Sequence, residues 1–293
     1  MPNEELNRAT LAKHYKPLFD ATRGLFDVGM NIHTALCNCK SASLPVNVHE
    51  FLLGTLTRDL RRLRSSILEC EIGHSETAFL LSRILLEGLL SVKFVMGETI
   101  PQSQQSENLR KSVTGLPKIP QNIDPRSFRA EVYRAAAAMA YWRVSDKTRN
   151  HPVLGEASRR FHPAFANIER NFGAKWAKHL KDNTHFSGMS IRKCFELHGI
   201  LDWYDTIYGP QSSPIHANDA YSFVKYNEAE SSYDVLIVGE PTNFVTSLCM
   251  PTAVMGTTLE VIDRVAELGF AKQLNEAAQK IEPFTKVNRS ESV

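Results

Sequence analysis

Arg83 and Glu87 stand four residues apart in a stretch, Ala78 to Met96, that is otherwise nearly all apolar. That spacing puts both on one helical face, with Glu76 two turns earlier on the same side. Charges carried into apolar surroundings must be paired. The pair therefore reads either as part of a polar ligand-binding site between helices or as a structural ion pair. A second group is Tyr204-x3-Tyr208-x4-Ser213-x2-His216, which gathers hydroxyls and an imidazole just past a helix end. Such groups could bind phosphate or move a proton. Equally, the two rings could be core and His216 could cap the Gly209-Pro210 turn. Arg83, Glu87, Tyr204, Tyr208 and Ser213 are thus the candidate ligand-binding residues, and His216 is a candidate catalytic one.

Other constellations are weaker. Arg192 and Glu196 are one helical turn apart, while His198 lies about 120° around the axis from Arg192. A histidine so placed is often a packed or surface residue. His33, Cys37 and Cys39 lack the paired Cys-x2-Cys spacing of a zinc site, so no metal is expected. Arg58, Arg61, Arg62 and Arg64 could contact nucleic-acid phosphates, but one arginine-rich helical turn reads as a solvated face. Neither Gly-x-Gly-x-x-Gly nor Gly-x4-Gly-Lys-Ser/Thr occurs, so neither a dinucleotide nor any other cofactor is expected.

The elements that must position these groups read as helices. The chain has 293 residues, 43% hydrophobic and 23% charged, and 34 basic against 32 acidic side chains leave a formal charge of +2. No global field favours nucleic acid or a membrane surface. The polar start, Met1 to Thr10, lacks a signal-peptide pattern, and five cysteines are odd in number, which together predict a reducing cytoplasm. Arg83, Glu87 and Lys93 interrupt the longest apolar stretch and would be expensive in hydrocarbon, so it is expected as a buried helix rather than a membrane span.

The periodicity predicts an all-α helical bundle with at most one minor strand or hairpin near 233–238. Residues 1–47 read as a peripheral helix and linker, 48–270 as the main helical domain, and 271–293 as an amphipathic tail that frays. Val48 to Glu69 is expected to carry a basic outer stripe. Ser75 starts the next helix and Gly97 stops it. The proline-bearing stretch 98–124 is expected as a surface excursion. Asp124-Pro125 marks the start of a helix through Val144, Gly173 closes a short helix, and Ser190 caps one that runs through Tyr208. A short helical piece is expected over Ala217 to Tyr226, and Thr242 to Leu268 is expected as a helix kinked at Pro251.

Two blocks carry a resemblance. One is Ala78 to Val95, whose core reads Ser82-Arg83-Ile84-Leu85-Leu86-Glu87. The other runs from Trp176 through Ser187-Gly188-Met189-Ser190-Ile191-Arg192 to Tyr204, Tyr208, Ser213 and His216. Together they resemble an uncharacterised bacterial all-α family of unknown function, although Gly209-Pro210 stretches the spacing between Tyr208 and Ser213. That family looks like a distant relative of the HEPN group, helical bundles that include dimeric ribonucleases of toxin and phage-defence systems. The HEPN signature is an arginine followed, after four to six residues, by a histidine. Arg192 and His198 satisfy that count.

The resemblance implies catalysis across a homodimer interface, where arginine steadies the developing phosphorane charge and histidine moves a proton to or from the ribose oxygen. A second alignment puts His216 at the histidine position, with no matching arginine upstream and Tyr208 near its place; ribonuclease chemistry is then absent. Three functions stay open: a binding or regulatory module in bacterial stress or phage defence, a metal-independent ribonuclease acting on RNA through Arg192 and His198, and an enzyme on a small molecule at an Arg83/Glu87 and Tyr204/His216 pocket.

Overall fold

The computed structural model describes residues 9–38, 44–147, 169–171, 173–180, 182, 185–209, 224–227, 232–235 and 241–286. The labelled elements are α1 (Lys16–Asn38), α2 (Val46–Glu71), α3 (Ser75–Met96), a 3-10 turn (Gln102–Gln104), α4 (Glu107–Thr114), α5 (Pro125–Lys147), α6 (Ile191–Leu197), α7 (Leu201–Trp203), a π-helical turn (Tyr204–Tyr208), β1 (Val224–Asn227), β2 (Ser232–Val235), α8 (Pro241–Ala266) and α9 (Ala271–Lys286). The fold is all-α. Its one described sheet is the antiparallel β1–β2 hairpin, in which Val224 faces Val235 and Tyr226 faces Tyr233. The strand expected near 233–238 therefore finds its partner in 224–227, part of the stretch expected to be helical. Alternating Val224 and Tyr226 fit a strand as well as a helix, and pairing decided between them.

The chain forms two compact units, Met1–Leu44 with Leu52–Val92 and Asp202–Val293, and Pro45–Phe51 with Lys93–Leu201. In the first unit, α1 is not peripheral. Its stripe Leu18, Phe19, Leu25, Ile32 and Leu36 is buried, and α1, α8 and α9 all pack on one another. Tyr15 stacks on Phe244 with ring centres 4.5 Å apart, and Phe19 meets the same ring edge-on. Burial of five large apolar side chains outweighs the loose polar alternation that suggested a surface helix. Among the described residues one helical segment, Phe244–Ala266, is long and apolar enough to cross a membrane. Of its apolar window 61% is buried, as in a core helix, and α8 packs against both α1 and α9. The tail, too, is anchored: α9 buries Leu274, Ala277 and Ile281.

In the second unit, the stretch 98–124 is more than a surface excursion. Ser106 caps α4 by accepting the Leu109 N–H at 3.2 Å. Leu109 is fully buried, and Lys193 Nζ donates to Ser112 at 2.8 Å. The start of α5 follows the expected signal, with Asp124 Oδ2 accepting the Ser127 N–H at 2.7 Å and Pro125 in the first helical position. The core of this unit joins Phe128, Val132 and Ala135 of α5 to Trp176, Ala177 and Leu180.

The helix expected from Ser190 through Tyr208 is broken. α6 ends at Leu197, Gly199 adopts φ +70°, and the Gly199 and Ile200 amides close back on the carbonyls of Glu196 and Phe195. A left-handed glycine at this place ends a helix whatever the periodicity of the residues beyond it.

Candidate functional site

In the first unit, helices α2 and α3 and the π-helical turn bring together a polar network. Tyr204 and Tyr208 are the first and last residues of that turn. Tyr208, only 7% exposed, sits under Arg83, whose guanidinium carbon lies 4.2 Å from the ring centre. Tyr204 also stacks on Tyr208, with ring centres 5.5 Å apart and 18° between the rings. Arg83 Nη2 donates to the Tyr208 hydroxyl at 3.0 Å, and that hydroxyl donates to Glu87 Oε1, also at 3.0 Å. Arg83 Nε is 3.9 Å from the same carboxylate oxygen, an ion pair without a close hydrogen bond. Four of the five candidate ligand-binding residues thus touch one another across 121 to 125 positions of sequence. Ser213 and His216 lie outside the described residues.

Behind this triad lies a group that sequence reasoning read as a solvated basic stripe. Asp59 of α2 is fully buried and accepts from Arg58 Nε at 2.9 Å and Arg62 Nη1 at 3.2 Å. Arg61 and Arg64 do face solvent, but Arg58 and Arg62 are only about a third exposed because they turn inward to this carboxylate. Room for Asp59 comes from Gly88 of α3, where a β-carbon would collide with Asp59 Oδ2. The signal available in the sequence was a lone acid amid arginines, opposite a glycine in an apolar helix. Nothing local, however, pairs those two positions.

Electrostatics follow from this packing. Burial pushes the Asp59 carboxyl above its ordinary range, with Arg58 and Arg62 pulling it back. Burial and then the charge of Arg58 lower Arg62, while the field of Asp59, and more weakly that of Glu87, raise it. Burial and the charge of Glu87 raise the Tyr208 phenol, so it stays protonated at neutral pH and acts as a hydrogen-bond donor.

The second unit holds the remaining candidates. Arg192 is exposed, whereas His198 is 5% exposed, its Nδ1 bonded to the Glu98 carbonyl and its Nε2 buried with no described hydrogen-bond partner. The pair is therefore split, one side chain toward solvent and one into the interior. Burial brings the His198 imidazole down to about 4. Sequence reasoning also missed a neighbouring cluster: the Ser187 hydroxyl lies 2.6 Å from His185 Nδ1 and 2.7 Å from Cys194 Sγ. A nucleophilic cysteine needs a lowered thiol and a basic partner. Here burial lifts Cys194 to about 11 and, with the charge of His198, drops His185 to about 4. The cluster holds its turn together as a neutral hydrogen-bonded chain. No three described His, Cys, Asp or Glu side chains gather as a metal site.

Residues 49–233 match the model of a family of unknown function, DUF5677. The chain belongs to the DUF5677 family. The matched span contains Asp59, Arg62, Arg83, Glu87, Gly88, Tyr204 and Tyr208, so the whole described polar network of this DUF5677 member lies inside the family's extent. All of α1, α8 and α9 lie outside it, and these helices complete the core of the first unit. No curated protein and no solved structure matches the chain.

Proposed function

We propose that this DUF5677 protein is a binding or regulatory module that recognises its ligand at the network of α2, α3 and the π-helical turn. The observation that carries this reading is the Tyr208 hydroxyl, held 3.0 Å from both Arg83 and Glu87 beside a carboxylate whose side chain is 47% exposed. Oriented polar groups backed by a buried charge network and open on one side suit recognition. They suit proton transfer less well, because Tyr208 stays protonated. The ribonuclease reading requires His198 to reach a ribose oxygen, and its buried imidazole argues against that. The setting we assign, bacterial stress or phage defence with the protein working as a homodimer, rests on the resemblance to the HEPN group, and the cytoplasmic placement rests on the odd, unevenly spread cysteines.

The test is a thermal-shift screen of the full chain against nucleotides, small carboxylic acids and polyamines, run beside a metal-free incubation with total RNA. A ligand-dependent rise in melting temperature that Arg83→Ala abolishes, with the RNA intact, is the expected result. RNA degradation that is lost in His198→Ala would overturn it in favour of the nuclease.

A further inference from the structure

Resting on that binding reading, the charges of the site select the class of ligand. Three guanidinium groups, Arg58, Arg62 and Arg83, face two carboxylates, Asp59 and Glu87. Asp59 is fully buried and takes hydrogen bonds from both Arg58 and Arg62, so its charge is committed within the protein. Glu87 is held differently. It accepts from Tyr208, stands 3.9 Å from Arg83 Nε, and leaves nearly half of its side chain in solvent. An ion pair of that geometry and exposure contributes little, so the carboxylate can swing outward at small cost. Arg83 and the Tyr208 hydroxyl cannot follow it, because the guanidinium is packed on the phenol ring and the ring on Tyr204. Their donors would remain, converging on the place the carboxylate oxygen had occupied.

We infer that the Glu87 carboxylate marks the seat of an anionic ligand group, a phosphate or carboxylate borne by a small molecule, which displaces Glu87 and is held by Arg83 and the Tyr208 hydroxyl. Arg83 presents the planar fork that reads an oxyanion through two N–H donors. Arg62, whose charge interacts with that of Glu87, supplies positive field at short range. Glu87 then acts as an internal competitor, which gives the inference a sign that other ligand classes reverse.

Isothermal titration of the full chain with inorganic phosphate, AMP, citrate and spermidine tests it, with urea unfolding confirming that each variant folds. At least one of the three anions is expected to bind, more weakly as NaCl rises, and spermidine is not. Binding by AMP but not by phosphate assigns the seat to a phosphate ester, and binding by citrate alone to a carboxylate. Arg83→Ala and Tyr208→Phe should each weaken that anion about ten-fold or more, and Arg83→Lys, which keeps the charge without the fork, by a smaller factor. Glu87→Gln should tighten it about ten-fold by removing the competing charge. If spermidine binds and Glu87→Gln weakens it, the site stands and the anion inference falls. If an anion binds equally well to wild type, Arg83→Ala and Tyr208→Phe, the site itself is misplaced. If none of the anions binds, the inference is overturned.

Discussion

The carboxylate of Asp59 on α2 occupies the space that a side chain at position 88 of α3 would fill. Gly88 is thus the socket for a buried charge. Any β-carbon there must push out a group that Arg58 and Arg62 hold in place. Gly88→Ala should therefore destabilise the first unit by about 2–3 kcal/mol, at the upper end of overpacking costs, although alanine is the better helix former by about 1 kcal/mol. Urea unfolding measures this, and a variant as stable as wild type would show that α2 can move away.

Arg83 and Tyr208 should be energetically coupled. The hydroxyl contact and the guanidinium packed on the ring predict an interaction of about 1 kcal/mol in a double-mutant cycle of Arg83→Ala and Tyr208→Phe/Ala. Additive stabilities in urea would mean that the stacked geometry does not persist in solution.

Acid should weaken the second unit. His185 and His198 are brought from 6.5 to about 4, so between those values the unfolded chain takes up protons that the folded one refuses. Stability is thus fully present above about pH 6.5 and falls as pH drops, by about 2 kcal/mol per histidine at pH 5. The groups around His198 act in both directions: Lys93 and Arg129 add to burial in disfavouring its charged form, while the hydrogen bond to the Glu98 carbonyl and the Glu98 charge favour it. Chemical denaturation at pH 7 and pH 5 should show the fall, and His198→Gln should halve it.

Gly199 ends α6 at φ +70°, and a β-carbon there would lie 2.9 Å from Ile100 Cγ2. Gly199→Ala therefore meets both backbone strain and crowding, with an expected loss of about 1–2 kcal/mol. Thermal unfolding would detect it as a lowered midpoint.

Among the described cysteines, Cys37 is exposed, whereas Cys70, Cys194 and Cys249 are buried with thiols raised to about 12, 11 and 12. Iodoacetamide on the native protein should modify Cys37 quickly and spare these three until denaturant is added. Rapid alkylation of Cys194 in native buffer would show that its cluster opens.

Features written in short stretches of sequence were legible without coordinates. The 3.6-residue stripes of α2, α3 and α8, the Asp124-Pro125 start, the Gly97 stop and the shared face of Arg83 and Glu87 all depend on neighbours a few residues away, where backbone geometry alone fixes the outcome. Packing decided the rest. Whether Arg62 faces water or a buried acid depends on Gly88, twenty-six residues on, and whether Tyr208 is core or site depends on Arg83, 125 positions back. The single helix expected from Ser190 to Tyr208 divides because Gly199 takes a backbone conformation that periodicity cannot register, and 224–227 becomes a strand because 232–235 is there to pair with it. Helical periodicity constrains which residues share a face, but which face meets which is settled only when distant segments bury their apolar surface together.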